Sequence, residues 1–383
     1  MNDEKKNNAE EESADVLAQF FGAIEEDPEA ARKVFFDTLD AFAEGKKSTA
    51  APTASADGLH LTSDGRGSRE LVYRECEGEG MAVTECETDV KRVRIAREIN
   101  GAPVTRIKAG AFENCDVRVV EIPDTVKRIE ADAFLGCENL CEIIVSEDNP
   151  YFLTIDGNVY TKNGKTLVQY AIGKEEDSFS IPSGYNYIGD SAFRGCKNLT
   201  RVLFHSEVKT VGDFAFADCT ALRSVSLPSS VTEIRPSAFS GCSALCALEL
   251  SEGLEWIRDS AFYNCSALTE ITVPSSVVGI GEEAFADCSS LSSVKGLGGV
   301  KVIDEGSFFG CERLAEIELP ITLERIHAEA FGSCVALSLI RYNGTKDDWK
   351  YVKVEGSENE KSLLLGKMKG GFKKTGLFAK LFK

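Results

Sequence analysis

Nine cysteines, Cys115, Cys137, Cys196, Cys219, Cys242, Cys265, Cys288, Cys311 and Cys334, each stand three residues after a phenylalanine. From Cys196 to Cys334 they recur every 23 residues. Thiols at fixed spacing can exchange disulfides, hold a metal or attack an electrophile. The surrounding residues favour none of these. Cys137/Cys141 and Cys242/Cys246 form C-x3-C pairs, yet neither has a histidine or a second cysteine pair at zinc-ligand spacing. The three histidines are His60, His205 and His327, and no Ser/His/Asp order, HExxH, nucleophile elbow or phosphate-binding loop accompanies them. The abundant Asp and Glu read as a solvated face. The expectation is no enzyme, no cofactor and no metal, with sulfur as small apolar filler.

Composition narrows the class further. The chain has 383 residues, 43% of them hydrophobic, and a net charge of -19. Nucleic-acid binders carry a basic face to neutralise phosphates, so that partner is not expected. Charge is unevenly spread: residues 1–47 hold 13 acids and 6 bases, whereas residues 361–383 hold 7 lysines and no acid. The opening "MNDEKKNNAEEES" shows no apolar core of a secretory signal. No apolar run reaches the roughly 18 residues of a membrane helix. Thirteen cysteines without an export signal fit a reducing compartment, and the expected location is cytoplasmic. Three sequons, at Asn198, Asn264 and Asn343, would mark secretion, but the first two follow from the turn residues of the repeat itself.

Elements must position those thiols. Counted from the cysteine, apolar residues recur at minus eleven (Val231, Leu254, Val277) and minus eight (Ile234, Ile257, Ile280). More recur at plus three (Leu245, Leu268, Leu314), plus six (Leu248, Ile271, Ile317) and plus eight (Leu250, Val273, Leu319). The run L-x-x-I-x-L-P predicts a short strand stopped by Pro228, Pro274 or Pro320. The Ala-Phe pair predicts a short helical turn. Before the cysteine stand Asn114, Gly136, Gly195, Asp218, Gly241, Asn264, Asp287 and Gly310, types that tolerate positive φ. Ser333 is the exception and predicts a looser turn. One such unit cannot bury its own apolar face, but a stack of units can. At about 4.8 Å per coil, roughly ten coils give a rod near 50 Å. A continuous column of Phe112, Phe134, Phe193, Phe216, Phe239, Phe262, Phe285, Phe308 and Phe331 is expected inside it.

The unit "SSVTEIRPSAFSGCSALCALELS" resembles the repeat of BspA-like leucine-rich repeat proteins, and the resemblance covers about residues 70–350. Residues 83–112 are similar to that family's irregular first repeat. "DNPYFLTIDGNVYTKNGKTLVQY" resembles its hairpin insert, near 146–180, with Asn163-Gly164 predicted as a type I′ turn. "YNGTKDDW" is similar to its closing segment, where Trp349 would cover the last coil. The resemblance implies an α+β repeat fold: a right-handed solenoid of 23-residue coils, each a short strand plus a short helical turn. It also implies a bacterial protein-binding scaffold, surface-exposed in some members and intracellular in others.

The expected domains are an acidic helical hairpin at 1–47, a flexible linker at 48–58, the solenoid at 59–355 and a basic amphipathic tail at 356–383. In the hairpin, Val16, Leu17, Phe20, Phe21 and Ile24 form one stripe and Val34, Phe35, Leu39 and Phe42 another, fit for intrachain docking, a homodimer or a partner. In the tail, Lys373, Lys374, Leu377, Phe378, Lys380, Leu381 and Phe382 are candidate contacts to a membrane surface or acidic partner. The candidate protein-binding strand face carries Arg201, Leu203, Glu249, Glu270, Thr272, Lys295, Glu316, Glu318 and Arg341. The expected function is protein–protein interaction inside the cell. The alternative is an adhesin-like binding protein, on the surface or secreted, that leaves by a non-standard route.

Overall fold

The structure, a computed structural model, describes residues 67–76, 78–87, 89–356 and 364–368. The expected N-terminal hairpin, the linker and the tail contacts at 373–382 lie outside the described residues. Across the repeats, the chain climbs through stacked coils that pair in parallel at a register of one repeat. The predicted strand after each cysteine forms: Arg201–Leu203, Ser224–Ser226, Ala247–Glu249, Glu270–Thr272, Ser293–Lys295, Glu316–Leu319 and Leu339–Tyr342. Its middle apolar residue turns inward, so Val202, Val225, Ile271, Ile317 and Ile340 are buried.

A second ladder was not anticipated. The apolar residue at minus eight and the residue before it make a two-residue strand in every coil from Tyr187–Ile188 to Lys353–Val354. These strands join Phe152–Ile155, Asn158–Thr161 and Thr166–Gln169 in one sheet of eleven. Ile188, Val211, Ile234, Ile257, Ile280, Ile303 and Ile326 pair rung to rung along it. The plus-five ladder, by contrast, is interrupted. It falls into sheets spanning 178–249, 270–295 and 316–342, with a further sheet at 92–145.

The α+β expectation is corrected. Among the described residues, helix is confined to one α-helical turn at 364–367 and 3-10 segments at Leu297–Gly299 and Asp348–Tyr351. The Ala-Phe segment is a double turn, because two left-handed residues four apart break any helix. The site before the cysteine is left-handed as predicted, and Ser333 shares it with φ 54, not a looser turn. Five residues before the cysteine, Asp132, Ser191, Phe214, Ser237, Ser260, Glu283 and Glu329 are also left-handed, with φ between 51 and 60. Alternate amides then point along the stack: Ser191 N to Asp213 O, Phe193 N to Ala215 O and Gly195 N to Ala217 O, each 2.8 Å. The intervening amides close turns within the coil, Arg194 N to Ser191 O at 3.1 Å and Cys196 N to Phe193 O at 3.0 Å. The amides from Ser191 to Cys196 thus all find partners without a helix.

The aromatic column is real but divided. Phe112 and Phe134 stack at 5.0 Å. A second stack runs unbroken from Tyr170 through Phe193, Phe216, Phe239, Phe262, Phe285 and Phe308 to Phe331, with centroids 4.6–5.7 Å apart. Tyr170 takes the rung that the insert leaves vacant, and the core correspondingly forms two clusters. In the insert the type I′ turn falls on Asp156-Gly157, both with positive φ (48 and 73), not on Asn163-Gly164, where only Gly164 is positive. Buried Asn149 pins this hairpin to the coil below. Its amide donates to the carbonyls of Pro123 and Val126 at 2.9 and 3.0 Å, and its oxygen accepts from the amides of Tyr151 and Phe152 at 2.8 and 2.9 Å.

Both ends of the solenoid are covered. The antiparallel pair Leu71–Cys76 and Gly80–Cys86 lies against Ala102–Ile107. At the other end Trp349, half-buried, meets Tyr342 edge-on at 5.1 Å, and Met368 is fully buried in the same cluster. Part of the predicted tail therefore belongs to the core.

Candidate protein-binding face

The nine repeat cysteines all lie inside, between 0 and 4% exposed. They are more than filler. The thiols of Cys219, Cys242, Cys265, Cys288, Cys311 and Cys334 donate to the carbonyl oxygens of Phe193, Phe216, Phe239, Phe262, Phe285 and Phe308 at 3.0–3.3 Å. Each of those carbonyls already accepts the amide of the cysteine in its own coil, as Phe216 O does from Cys219 N at 3.2 Å. The thiol fills the second lone pair of a buried oxygen, which an alanine cannot do. Burial pushes Cys137 and Cys288 up to about 12 and Cys334 up to about 11, and raises Cys219, Cys242 and Cys265 well above their ordinary value. These are neutral donors.

The C-x3-C pairs divide between inside and outside. Cys242 and Cys137 are buried, while Cys246 is exposed and Cys141 half-buried. Cys246 repeats a hydroxyl's role: Thr200, Ser292 and Ser338 donate to the backbone of the preceding coil at 3.0–3.3 Å, and its thiol reaches Arg223 O at 3.6 Å. Among the described residues, no group of three or more His, Cys, Asp or Glu side chains is placed to hold a metal. His327 lies between carboxylates of successive coils, Asp304 at 3.4 Å and Glu355 at 2.9 Å, and His205 reaches Tyr185 O at 3.3 Å.

The predicted strand face distributes over three sheets. Arg201, Leu203 and Glu249 belong to the first, Glu270, Thr272 and Lys295 to the second, and Glu316, Glu318 and Arg341 to the third. Within the second and third sheets its charges meet diagonally across one coil. Lys295 Nζ lies 3.0 Å from Glu270, and Arg341 grips both oxygens of Glu316 at 2.6 and 3.0 Å. Glu318 accepts from Asn343 at 2.5 Å and Glu249 from Ser226 at 2.8 Å. Arg341 holds the Glu316 carboxyl below the usual carboxylate range. The same device, missed by sequence reading, joins Arg92 and Arg94 to Glu121 at 2.6 and 2.5 Å. Burial opposes ionisation of Glu121, but the two guanidiniums prevail and lower it. Its signal was alternation, R-V-R over V-V-E-I, in the irregular first coils.

At the first break the face opens. Leu248 and Leu250 are only half-buried where their counterparts Val225, Leu227, Ile271 and Val273 are covered. Arg201, Leu203 and Glu249 are themselves half-buried, whereas Glu270, Thr272, Lys295, Glu316, Glu318 and Arg341 include the most exposed part of the strip.

No curated protein matches the chain. Among solved structures, a leucine-rich repeat protein from Eubacterium ventriosum ATCC 27560 is 26% identical, with a TM-score of 0.54 over 70% of this chain and 64% of that one. The chain therefore spans less than two thirds of that protein. A leucine rich cell surface protein from Faecalibacterium prausnitzii A2-165 is 22% identical over 81% of this chain and 100% of that one, with a TM-score of 0.38. The pneumococcal vaccine antigen PcpA is 21% identical over 73% of this chain and 62% of that one, with a TM-score of 0.43. The BspA type leucine rich repeat region matches in six copies, over residues 99–165, 172–292 and 280–349. Two stacked ladders, an aromatic column and a repeat of 23 residues thus converge on one assignment: the chain belongs to the BspA-type leucine-rich repeat family.

Proposed function

We propose that this protein is a non-catalytic scaffold that binds another protein inside the cell through the plus-five strand face. One observation carries the reading. Along each strand the inward residue is kept apolar coil after coil, while its outward neighbours change from Arg201 and Leu203 to Glu249, to Glu270 and Thr272, and to Glu316 and Glu318. A rigid frame with a variable outer strip is how repeat solenoids address partners. The thirteen cysteines, none of them in a disulfide among those described, support a reducing location. The lysine-rich tail and the N-terminal stripes would add a membrane contact and self-association.

The test is affinity capture from native lysate with the full chain and with a variant carrying Glu270→Lys, Glu316→Lys and Glu318→Lys. A partner recovered by the first and lost by the second supports the face. Recovery of the native protein mainly in culture medium or on the cell surface would replace the intracellular reading with the adhesin one. Liposome co-sedimentation of the full chain against residues 1–368, which keep the Met368 cap, isolates the tail. Equal binding removes the membrane contact.

A further inference from the structure

Along the plus-five and plus-seven positions one cation lacks a match. Lys295 meets Glu270 and Arg341 meets Glu316 by a step of 25 residues, from the first outward position of one coil to the second of the next. The same step from Arg201 leads to Ser226, whose hydroxyl donates to Glu249 at 2.8 Å. Ser178 and Ser224 stand beside Arg201 in the coils before and after, and Ser180 beside Leu203. Every outward neighbour of Arg201 in the adjacent coils is therefore serine. Arg92, Arg94, Arg106, Arg194 and Arg258 are half-buried as Arg201 is, and each holds a carboxylate. Arg201 holds none among the described residues, and its Nε is buried without a partner. That guanidinium has lost water and found no acceptor, which destabilises the free protein.

We propose that Arg201 is the seat for an Asp or Glu side chain of a partner protein, the missing half of an ion pair that the strip elsewhere completes from within. The proposal rests on the strand-face reading above and gives that face its first contact. A planar carboxylate matches the guanidinium fork through two parallel bonds. The hydroxyls of Ser178, Ser180 and Ser224 make no hydrogen bond among the described residues and remain as further donors. The local charge selects a monoanion. Arg201 and exposed Arg223 are balanced by half-buried Glu249 and exposed Asp177, in a chain of net charge -19, which leaves no surplus for a phosphate dianion. Half-buried Leu203 follows two residues along the same strand, about 7 Å away on one face. An extended segment with an acid and an apolar residue two apart matches both.

Panning a displayed random peptide library on the full chain, then measuring each recovered peptide against Arg201→Gln by fluorescence anisotropy, tests this. Both chains carry the same lysine-rich tail, so acidic peptides held there bind them equally and drop out of the comparison. The expected class of peptides has Asp or Glu two residues from an apolar side chain, and Arg201→Gln and Arg201→Lys each weaken it at least about tenfold. Replacing that acid by its amide weakens it as much, and the two changes together add nothing to either alone. Arg201→Met, which keeps the aliphatic stem, melts no lower than the wild-type chain; a lower melting temperature reveals a partner within the chain and overturns the proposal. Tighter binding when the acid is replaced by phosphoserine overturns the choice of a carboxylate. A library that yields no Arg201-dependent peptide overturns the proposal as a whole. If its peptides instead fail on the chain carrying Glu270→Lys, Glu316→Lys and Glu318→Lys, the strand-face reading stands without it.

Discussion

The thiol of Cys242 donates to the carbonyl oxygen of Phe216, 3.2 Å away, in the coil before it. That oxygen also accepts the Cys219 amide at 3.2 Å, so each rung of the stack is tied to the next through one doubly used carbonyl. Cys242→Ala removes the donor and opens a small void, and is expected to cost about 1–3 kcal/mol. Cys242→Ser keeps a donor at the same place. In urea denaturation it should lose less than Cys242→Ala, and the opposite order would leave sulfur as packing alone.

The raised thiols also set a pH dependence. Burial lifts Cys288 to about 12 from an ordinary value of 9.0, and Cys334 to about 11, while the unfolded chain keeps the ordinary value. The folded state therefore binds protons more tightly. The stability gained is complete below pH 9 and disappears as pH rises from about 9 to about 12. Urea midpoints measured across that window should fall steadily, and Cys288→Ala should flatten the slope. A midpoint independent of pH up to 11 would contradict it.

Left-handed backbone offers a cleaner handle than contacts. Ser333, exposed and at φ 54, occupies the position that Gly195, Gly241 and Gly310 hold in other coils. An L-residue there costs about 1–2 kcal/mol relative to glycine, offset in part by the unfolded chain's greater freedom. Ser333→Gly should raise the melting temperature slightly. Gly241→Ala should lower it, because φ is 73 and a Cβ would stand 2.4 Å from the Asp218 carboxylate oxygen. Opposite signs at equivalent positions are the readout.

Much of this architecture could be read from the sequence, and the failures have physical reasons. Phe193 through Phe331 were legible because a side chain that must fill the same hole every coil leaves a strict period. Tyr170 was not, since "YAIG" has no cysteine to set its phase, yet it stacks on Phe193 at 4.9 Å. The second ladder was hidden because a pair such as Glu233–Ile234 is too short to show alternation. The left-handed position of Phe214 and Glu283 was invisible because neither residue type favours it. Stacking imposes it, through bonds such as Phe214 N to Pro236 O at 3.0 Å. The outer strip was named correctly as strand, but its division into three sheets depends on cross-coil hydrogen bonds that no single coil encodes.

Asn149 is a side chain whose value lies entirely in its four hydrogen bonds. Asn149→Ala leaves two buried carbonyls and two amides short of a partner at the root of the insert, at an expected cost of about 3 kcal/mol or more. Asn149→Asp also removes the donors and adds a buried charge, so it should be worse at neutral pH. Hydrogen exchange would localise the effect: protection should drop at Tyr151 and Phe152 while the Phe239–Phe285 coils stay unchanged, and uniform loss across the stack would refute a local lock.

Met368 closes the last coil, fully buried in the same cluster as Cys334 and Leu337. Terminal units of a solenoid must cover an apolar face that interior units bury against a neighbour, so removing the cover exposes the end of the stack. Ending the chain at residue 356 should lower the melting temperature and promote association through the bared coil. Ending it at residue 368 should leave both unchanged, since every described cap contact is retained. Met368→Asp should reproduce the shorter truncation, and Met368→Leu, similar in volume, should cost less than about 1.5 kcal/mol. Light scattering with thermal melts on these four chains separates a cap from a passive tail, because a passive tail predicts four equal melting temperatures.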